Sequence, residues 1–222
     1  MHRNPQKNVS SEFPYYKLTL LGNSAVGKTS IINKIRDIDN NSLNTLPTTS
    51  VDIATAQIQL TDKKVLRYII FDIPGQEKYK SVSFSVIKNS NGVLMVYSIA
   101  DKRSFEQVVN WVEEMNDNLQ DFVWCLIGNK SDLDKQKRVV TYEEGEKLAK
   151  LYGVPFYETT IYDSEKPKNS LTTKEVMIKI GELMTKNRLH MKSQVKDLQV
   201  SVNLNEKETQ NQTLSKSSRC RC

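Results

Sequence analysis

Short apolar, β-branched runs alternate with stretches of helical periodicity over most of the chain. The runs are YYKLTLLG (15–22), Val51–Leu60, Val65–Asp72, Gly92–Ser98, Val123–Gly128 and Val154–Glu158, each of strand length. Helical patterns fall at Ser30–Arg36, from after Gly75 to about Lys88, and at Ser104–Gln120, Thr141–Tyr152 and Leu171–Met184. In Ser104–Gln120 the residues Phe105, Val108, Val109, Trp111, Val112, Met115 and Leu119 lie mainly along one broad face, the stripe of a core-facing helix. Val176, Met177, Ile180, Leu183 and Met184 make the same stripe in the last helix. Thr141-x-x-Glu144 is a capping box. The alternation predicts an α/β fold, with six strands in an open, mostly parallel sheet and five helices on its two faces. Runs 51–60 and 65–72 are joined only by TDKK, too short for a crossover, so they form a hairpin with one antiparallel strand.

Composition narrows the class. A chain of 222 residues with 38% apolar and 26% charged residues is one domain with extensions, a packed core plus solvated sequence. No apolar run approaches the ~18 residues of a membrane span. The first residues, MHRNPQKNVSSEFPYYK, hold no apolar stretch of the signal-peptide kind, so the chain is expected on the cytosolic side of membranes. The formal charge is +6, yet 186–222 alone carries eight Lys/Arg against three acids. The basic excess therefore sits in a Ser/Asn/Gln/Lys-rich tail and not on a face of the fold, which argues against a nucleic-acid partner. The expected division is an N-terminal extension (1–13), a folded domain (14–185) and a disordered tail (186–222). Three cysteines make no disulfide framework, and His2 and His190 make no metal cluster. Cys125 lies in an apolar strand pattern and reads as a buried hydrophobe. Cys220 and Cys222 close the polar tail, where modification suits them better than structure.

The sharpest chemical signal is Gly22-Asn23-Ser24-Ala25-Val26-Gly27-Lys28-Thr29, a G-x-x-x-x-G-K-[ST] motif between the strand KLTLL and the helix SIINKIR. Its glycines allow the tight turn that converges backbone N–H groups on phosphate oxygens, and the helix beginning near Ser30 adds its positive end. Lys28 reaches β- and γ-phosphates, and the Thr29 hydroxyl is a ligand for Mg²⁺. These residues describe a nucleoside triphosphate site.

Gly128-Asn129-Lys130-Ser131-Asp132 follows the apolar strand VWCLI and indicates which base is bound. A carboxylate at Asp132 accepts from both the N1–H and N2–H₂ of guanine. Adenine offers an acceptor where guanine has its N1 proton. Phe71-Asp72-Ile73-Pro74-Gly75-Gln76-Glu77 closes the third strand. There Asp72 can hold Mg²⁺ through water, the Gly75 amide can face the γ-phosphate, and Gln76 can orient the attacking water. Thr48, in LPTTSVD between the first helix and second strand, can close over metal and γ-phosphate.

These four elements, in this order, resemble the Ras superfamily of small GTPases over about Tyr15 to Met184. Within it the chain is similar to the Rab proteins, through GNSAVGKTS, TTSVDI, GVLMVYSIADKRSFEQVVNWVEEM and the terminal Cys220-Arg221-Cys222. The resemblance implies a P-loop small-GTPase fold and a switch that binds GTP or GDP with Mg²⁺. It also implies geranylgeranyl groups on Cys220 and Cys222, residence on the cytoplasmic face of an intracellular membrane with cycling through the cytosol, and a role in vesicle traffic. Its partners would be an exchange factor, a GTPase-activating protein, a GDP-dissociation inhibitor and effectors. By the same resemblance, Thr160 and the Ile161 amide support the guanine.

Several positions depart from the family pattern. Phe71, Ile73 and Pro74 stand for Trp, Thr and Ala, Ser50 and Ile53 for Gly and Phe, and Glu158-Thr159-Thr160-Ile161-Tyr162 for E-T-S-A-K. Pro74 fixes φ and removes an N–H just before Gly75. Two other functions share part of this pattern: a GTP-binding module with little hydrolysis, motivated by Pro74, and a P-loop kinase or ATPase, disfavoured by Asn129–Asp132.

Overall fold

In the computed structural model, the structure describes residues 15–36, 51–59, 65–74, 85–118 and 122–189. The strands are β1 (Tyr15–Leu21), β2 (Asp52–Gln59), β3 (Val65–Asp72), β4 (Gly92–Ser98), β5 (Val123–Asn129), β6 (Phe156–Thr160) and β7 (Leu171–Thr172). The principal helices are α1 (Lys28–Ile35), α2 (Lys102–Asn118), α3 (Tyr142–Tyr152) and α4 (173–189). A single helical turn at 85–87 falls within the helix expected from after Gly75 to about Lys88, of which 75–84 lie outside the described residues. The chain divides into two units, Met1–Met184 and Thr185–Cys222, and the sheet belongs to the first.

The sheet runs β2-β3-β1-β4-β5-β6-β7. Only β2 and β3 pair antiparallel, from Asp52 opposite Asp72 to Gln59 opposite Val65, the hairpin that the short connection requires. All seven residues of β4 are buried, whereas β3 alternates, because a central parallel strand is covered on both faces. Leu94 and Val96 of β4 pack with Ile31 and Ile32 of α1 and with Val176, Met177 and Ile180 of α4. Val93, Met95 and Tyr97 pack instead with Val108, Trp111, Val112 and Met115 of α2 and with Ala149 of α3. The period-two strand thus fills two cores, one on each face of the sheet. Cys125 is fully buried in the first, and burial pushes its thiol pKa up.

The sheet has seven strands, not the six expected, because Leu171 and Thr172 pair parallel with Thr159 and Thr160. These two residues read as the start of the last helix. Instead Thr172 caps it: its Oγ1 accepts from the Glu175 N–H at 3.2 Å, and Glu175 Oε2 accepts from the Thr172 N–H at 2.7 Å. This is a second capping box beside the expected one at Thr141 and Glu144. Strand β6 begins two residues later than expected, because Gly153 ends α3 in the left-handed conformation. The N–H groups of Gly153 and Val154 bond back to the carbonyls of Lys150 and Ala149 at 3.2 and 3.0 Å, a Schellman closure that keeps Val154 with the helix. Helix α2 starts at Lys102 because Asp101 Oδ1 accepts from the Ser104 N–H at 3.2 Å.

Candidate nucleotide-binding site

The phosphate loop leaves β1 at Gly22 and enters α1 at Lys28. Gly22 (φ 137°) and Gly27 (φ 100°) adopt backbone conformations that disfavour a side chain. A Cβ on Gly22 would overlap the Val96 carbonyl oxygen, and one on Gly27 would overlap Asn129 Nδ2. Between them Ala25 is also left-handed, at φ 61°, a conformation a side chain resists by ~1 kcal/mol or more. Contacts from the end of β5 hold it there. Lys130 Nζ donates to the Ala25 carbonyl and Asn129 Nδ2 to the Val26 carbonyl, both at 2.8 Å. Helix α1 begins with no side-chain cap and no acid of its own in its first turn, so its positive end suits an anion.

Lys28 is 5% exposed, and its Nζ donates to the carbonyls of Gly22 and Asn23, each at 2.8 Å. Burial pulls its pKa down to about 8, against the opposing pull of the Asp72 carboxylate. The ammonium is therefore poorly solvated, with loop carbonyls as partners, a state that phosphate oxygens would relieve. Asp72 ends β3 and is buried, and its Oδ2 accepts from Thr29 Oγ1 at 2.5 Å. A hydroxyl and a carboxylate oxygen thus converge next to Lys28. Such a hard-oxygen pair fits Mg²⁺, which is bound through one or two protein oxygens with phosphates and water completing its shell. Replacing Thr29 with Asn is expected to abolish the preference for GTP over GDP and its Mg²⁺ dependence, measured as affinities with and without chelator. Thr48, Gly75 and Gln76 lie outside the described residues, as do Cys220 and Cys222.

The base side is built from the ends of β5 and β6. Asn129 is 3% exposed and is spent on the phosphate loop. Lys130 takes φ 68°, which turns the chain so that Asp132 faces β6. Asp132 Oδ1 accepts from Thr160 Oγ1 at 2.5 Å, and the same hydroxyl accepts from the Tyr162 N–H at 3.0 Å. Thr160 therefore fixes the Asp132 carboxylate. The Ser131 N–H donates to the Thr159 carbonyl at 3.1 Å, locking the two strand ends together. Ile161 is buried beside them. Glu158 turns the other way, into a bidentate pair with Arg138 at 2.6 and 2.8 Å. Its burial beside that guanidinium makes it a brace for β6.

A phosphate loop whose main-chain carbonyls are gripped by an N-K-x-D loop defines a guanine nucleotide-binding P-loop protein. The comparisons with known proteins agree. The Ras family model matches residues 17–180. GTP-binding protein YPT1 of Saccharomyces cerevisiae is 34% identical over 198 residues, covering 88% of this chain and 94% of that one. Ras-related protein RabC of Dictyostelium discoideum is 37% identical over 160 residues, covering 71% and 78%. Ras-related protein Rab-13 of Bos taurus is 32% identical over 176 residues, covering 78% and 85%. The chain belongs to the Ras family as a Rab-type small GTPase, an enzyme that hydrolyses GTP to GDP and phosphate. That assignment sets aside both the kinase or ATPase reading and the non-hydrolysing module.

Proposed function

We propose that this GTPase is a membrane-traffic switch that cycles between GTP-bound and GDP-bound states, with Mg²⁺ held by Thr29, Thr48 and, through water, Asp72. The observation that carries the nucleotide choice is the direct grip of Asn129 and Lys130 on the phosphate loop, with Asp132 oriented by Thr160. The loop residues Gly22, Asn23, Ser24, Ala25, Val26, Gly27, Lys28, Thr29 and Ser30 cradle the phosphates. Asn129, Lys130, Asp132, Thr160 and the Ile161 amide enclose guanine. When bound, Mg²⁺ supplies charge neutralisation at the β- and γ-oxygens. Gln76 orients water, and Gly75 reads the γ-phosphate. Turnover is slow until a GTPase-activating protein supplies the arginine that completes the charge stabilisation. GDP and ATP affinities measured side by side, with single-turnover GTP hydrolysis, test this reading. It predicts tight GDP binding, negligible ATP binding and slow hydrolysis. Equal affinity for both nucleotides would overturn it.

The switch works from a membrane. Among the described residues no helix is long and apolar enough to cross one, and Cys220-Arg221-Cys222 offers two lipid sites with Arg219 and Arg221 beside them. One modest acyl chain binds membranes reversibly, so stable anchoring takes two signals, and each basic residue near an anionic leaflet adds ~1 kcal/mol. The tail beyond the described end of α4, from 190 on and not from 186, serves as a tether. An exchange factor, a GDP-dissociation inhibitor that shields the lipids, and effectors complete the cycle, on the cytoplasmic face of an intracellular membrane. Changing both cysteines to Ser is expected to move the protein entirely into the soluble fraction of cells with GTP binding unchanged, whereas one change leaves partial association. A double variant that still sediments with membranes would assign the anchor to a protein receptor.

A further inference from the structure

Helix α2 reaches the phosphate loop through one side chain. Trp111 is 4% exposed, in the core that also holds Val108, Val112 and Met115 of the same helix. Its Nε1–H donates to Asn23 Oδ1 at 3.3 Å, across 88 residues of sequence. A buried indole N–H needs an acceptor, and here the acceptor belongs to the second residue of the loop. The main-chain carbonyl of the same Asn23 receives the Lys28 ammonium at 2.8 Å. Asn23 is thus held twice, by its side chain from α2 and by its backbone from Lys28. Farther along the loop, the left-handed Ala25 is held by Lys130. Because Val108, Trp111 and Met115 anchor one face of a long helix in the core, the indole is delivered from a rigid element and not from a loop.

We infer that Trp111 is a positioning residue for the phosphate loop, fixing Asn23 so that its carbonyl stays on Lys28 and the loop keeps its nucleotide-binding shape. This rests on the assignment of 22–29 as the phosphate site. A loop held in its bound form before the ligand arrives loses less freedom on binding, so releasing the contact weakens retention of nucleotide. Ring volume alone does not do this. Phe at 111 keeps most of the packing and lacks the N–H.

The test is a double-mutant cycle read as the dissociation rate of a fluorescent GDP from the full-length, Mg²⁺-loaded chain. Trp111→Phe and Asn23→Ala are each expected to speed release by roughly 3- to 10-fold, the range of one neutral hydrogen bond. The double variant is expected to release no faster than Asn23→Ala alone, because both changes break one interaction. A merely structural tryptophan would lower thermal stability, yet its rate effect would multiply with that of Asn23→Ala. Multiplying effects overturn the inference. Should Trp111→Phe fail to fold, tryptophan emission of Asn23→Ala replaces the cycle. Loss of that acceptor is expected to shift the Trp111 emission relative to the wild-type GDP form, and an unchanged spectrum overturns the contact. Wild-type protein that holds no GDP would remove the phosphate-site assignment itself, and the inference with it.

Discussion

Asp132→Asn is expected to lower the affinity for GDP and GTP by about 100- to 1,000-fold. The Asp132 carboxylate is oriented before any base arrives. Thr160 Oγ1 donates to Oδ1, and the Tyr162 N–H, by donating to that same hydroxyl, fixes the direction of its proton. The remaining lone pairs are free for the N1–H and N2–H₂ of guanine. An amide offers one oxygen and one NH₂ group, so a donor meets a donor wherever the oxygen is turned. Hydrogen bonds to a charged acceptor contribute about 1.5–3 kcal/mol each, and losing most of two such bonds gives the predicted factor. Asn is nearly isosteric, so folding is retained. Calorimetric titration with GDP at saturating Mg²⁺ measures the effect, and Thr160→Val is expected to follow in the same direction by about tenfold, since it releases the carboxylate without removing it. Unchanged GDP affinity in Asp132→Asn would move the base pocket away from β5 and β6.

The local part of this architecture was legible and the long-range part was not. Strands β3 and β4 fall on the residues the apolar runs mark, because a run buried on one or both faces has a length and periodicity of its own. The phosphate loop was legible because its spacing answers a chemical need that few other sequences meet. Strand β7 was not, since two residues carry no period, and Thr172 took the capping role at the point where the apolar stripe of α4 begins. Trp111 reads as core, which it is. An apolar stripe on a helix gives the face that is buried and says nothing of which polar atom waits at the end of one ring. The contacts of Asn129 and Lys130 with the loop span 103 and 105 residues. Each motif could be recognised alone, but their physical connection is a property of the sheet order, which places β1, β4 and β5 side by side. Thr160 shows the same limit: the family pattern marks it as a base contact, and only the fold shows that its hydroxyl bonds Asp132.

That sheet order also sets the largest expected structural effect, Gly22→Ala. Gly22 has φ 137°, and its added Cβ would overlap the carbonyl oxygen of Val96. Val96 is a residue of β4 whose neighbour in the sheet is Ile127 of β5. The obstacle is therefore backbone in a central, fully buried strand, which cannot rotate aside as a side chain could. The cost combines an unfavourable φ with displacement of the loop or the strand, and is on the order of 4 kcal/mol or more, the range of the most disruptive single substitutions. Gly153→Ala is the matched control. It also has positive φ, at 66°, but nothing lies within 4 Å of its would-be Cβ, so only the conformational cost of ~1 kcal/mol applies. At about 2–4 °C per kcal/mol for a domain of this size, thermal unfolding of the GDP-loaded chain should fall by a few degrees for Gly153→Ala with GDP retained. For Gly22→Ala it should fall by roughly 10 °C or more, with GDP lost, or the protein should not accumulate in folded form. A Gly22→Ala protein that melts with wild type and keeps its nucleotide would mean that the loop does not pass against β4 at Val96.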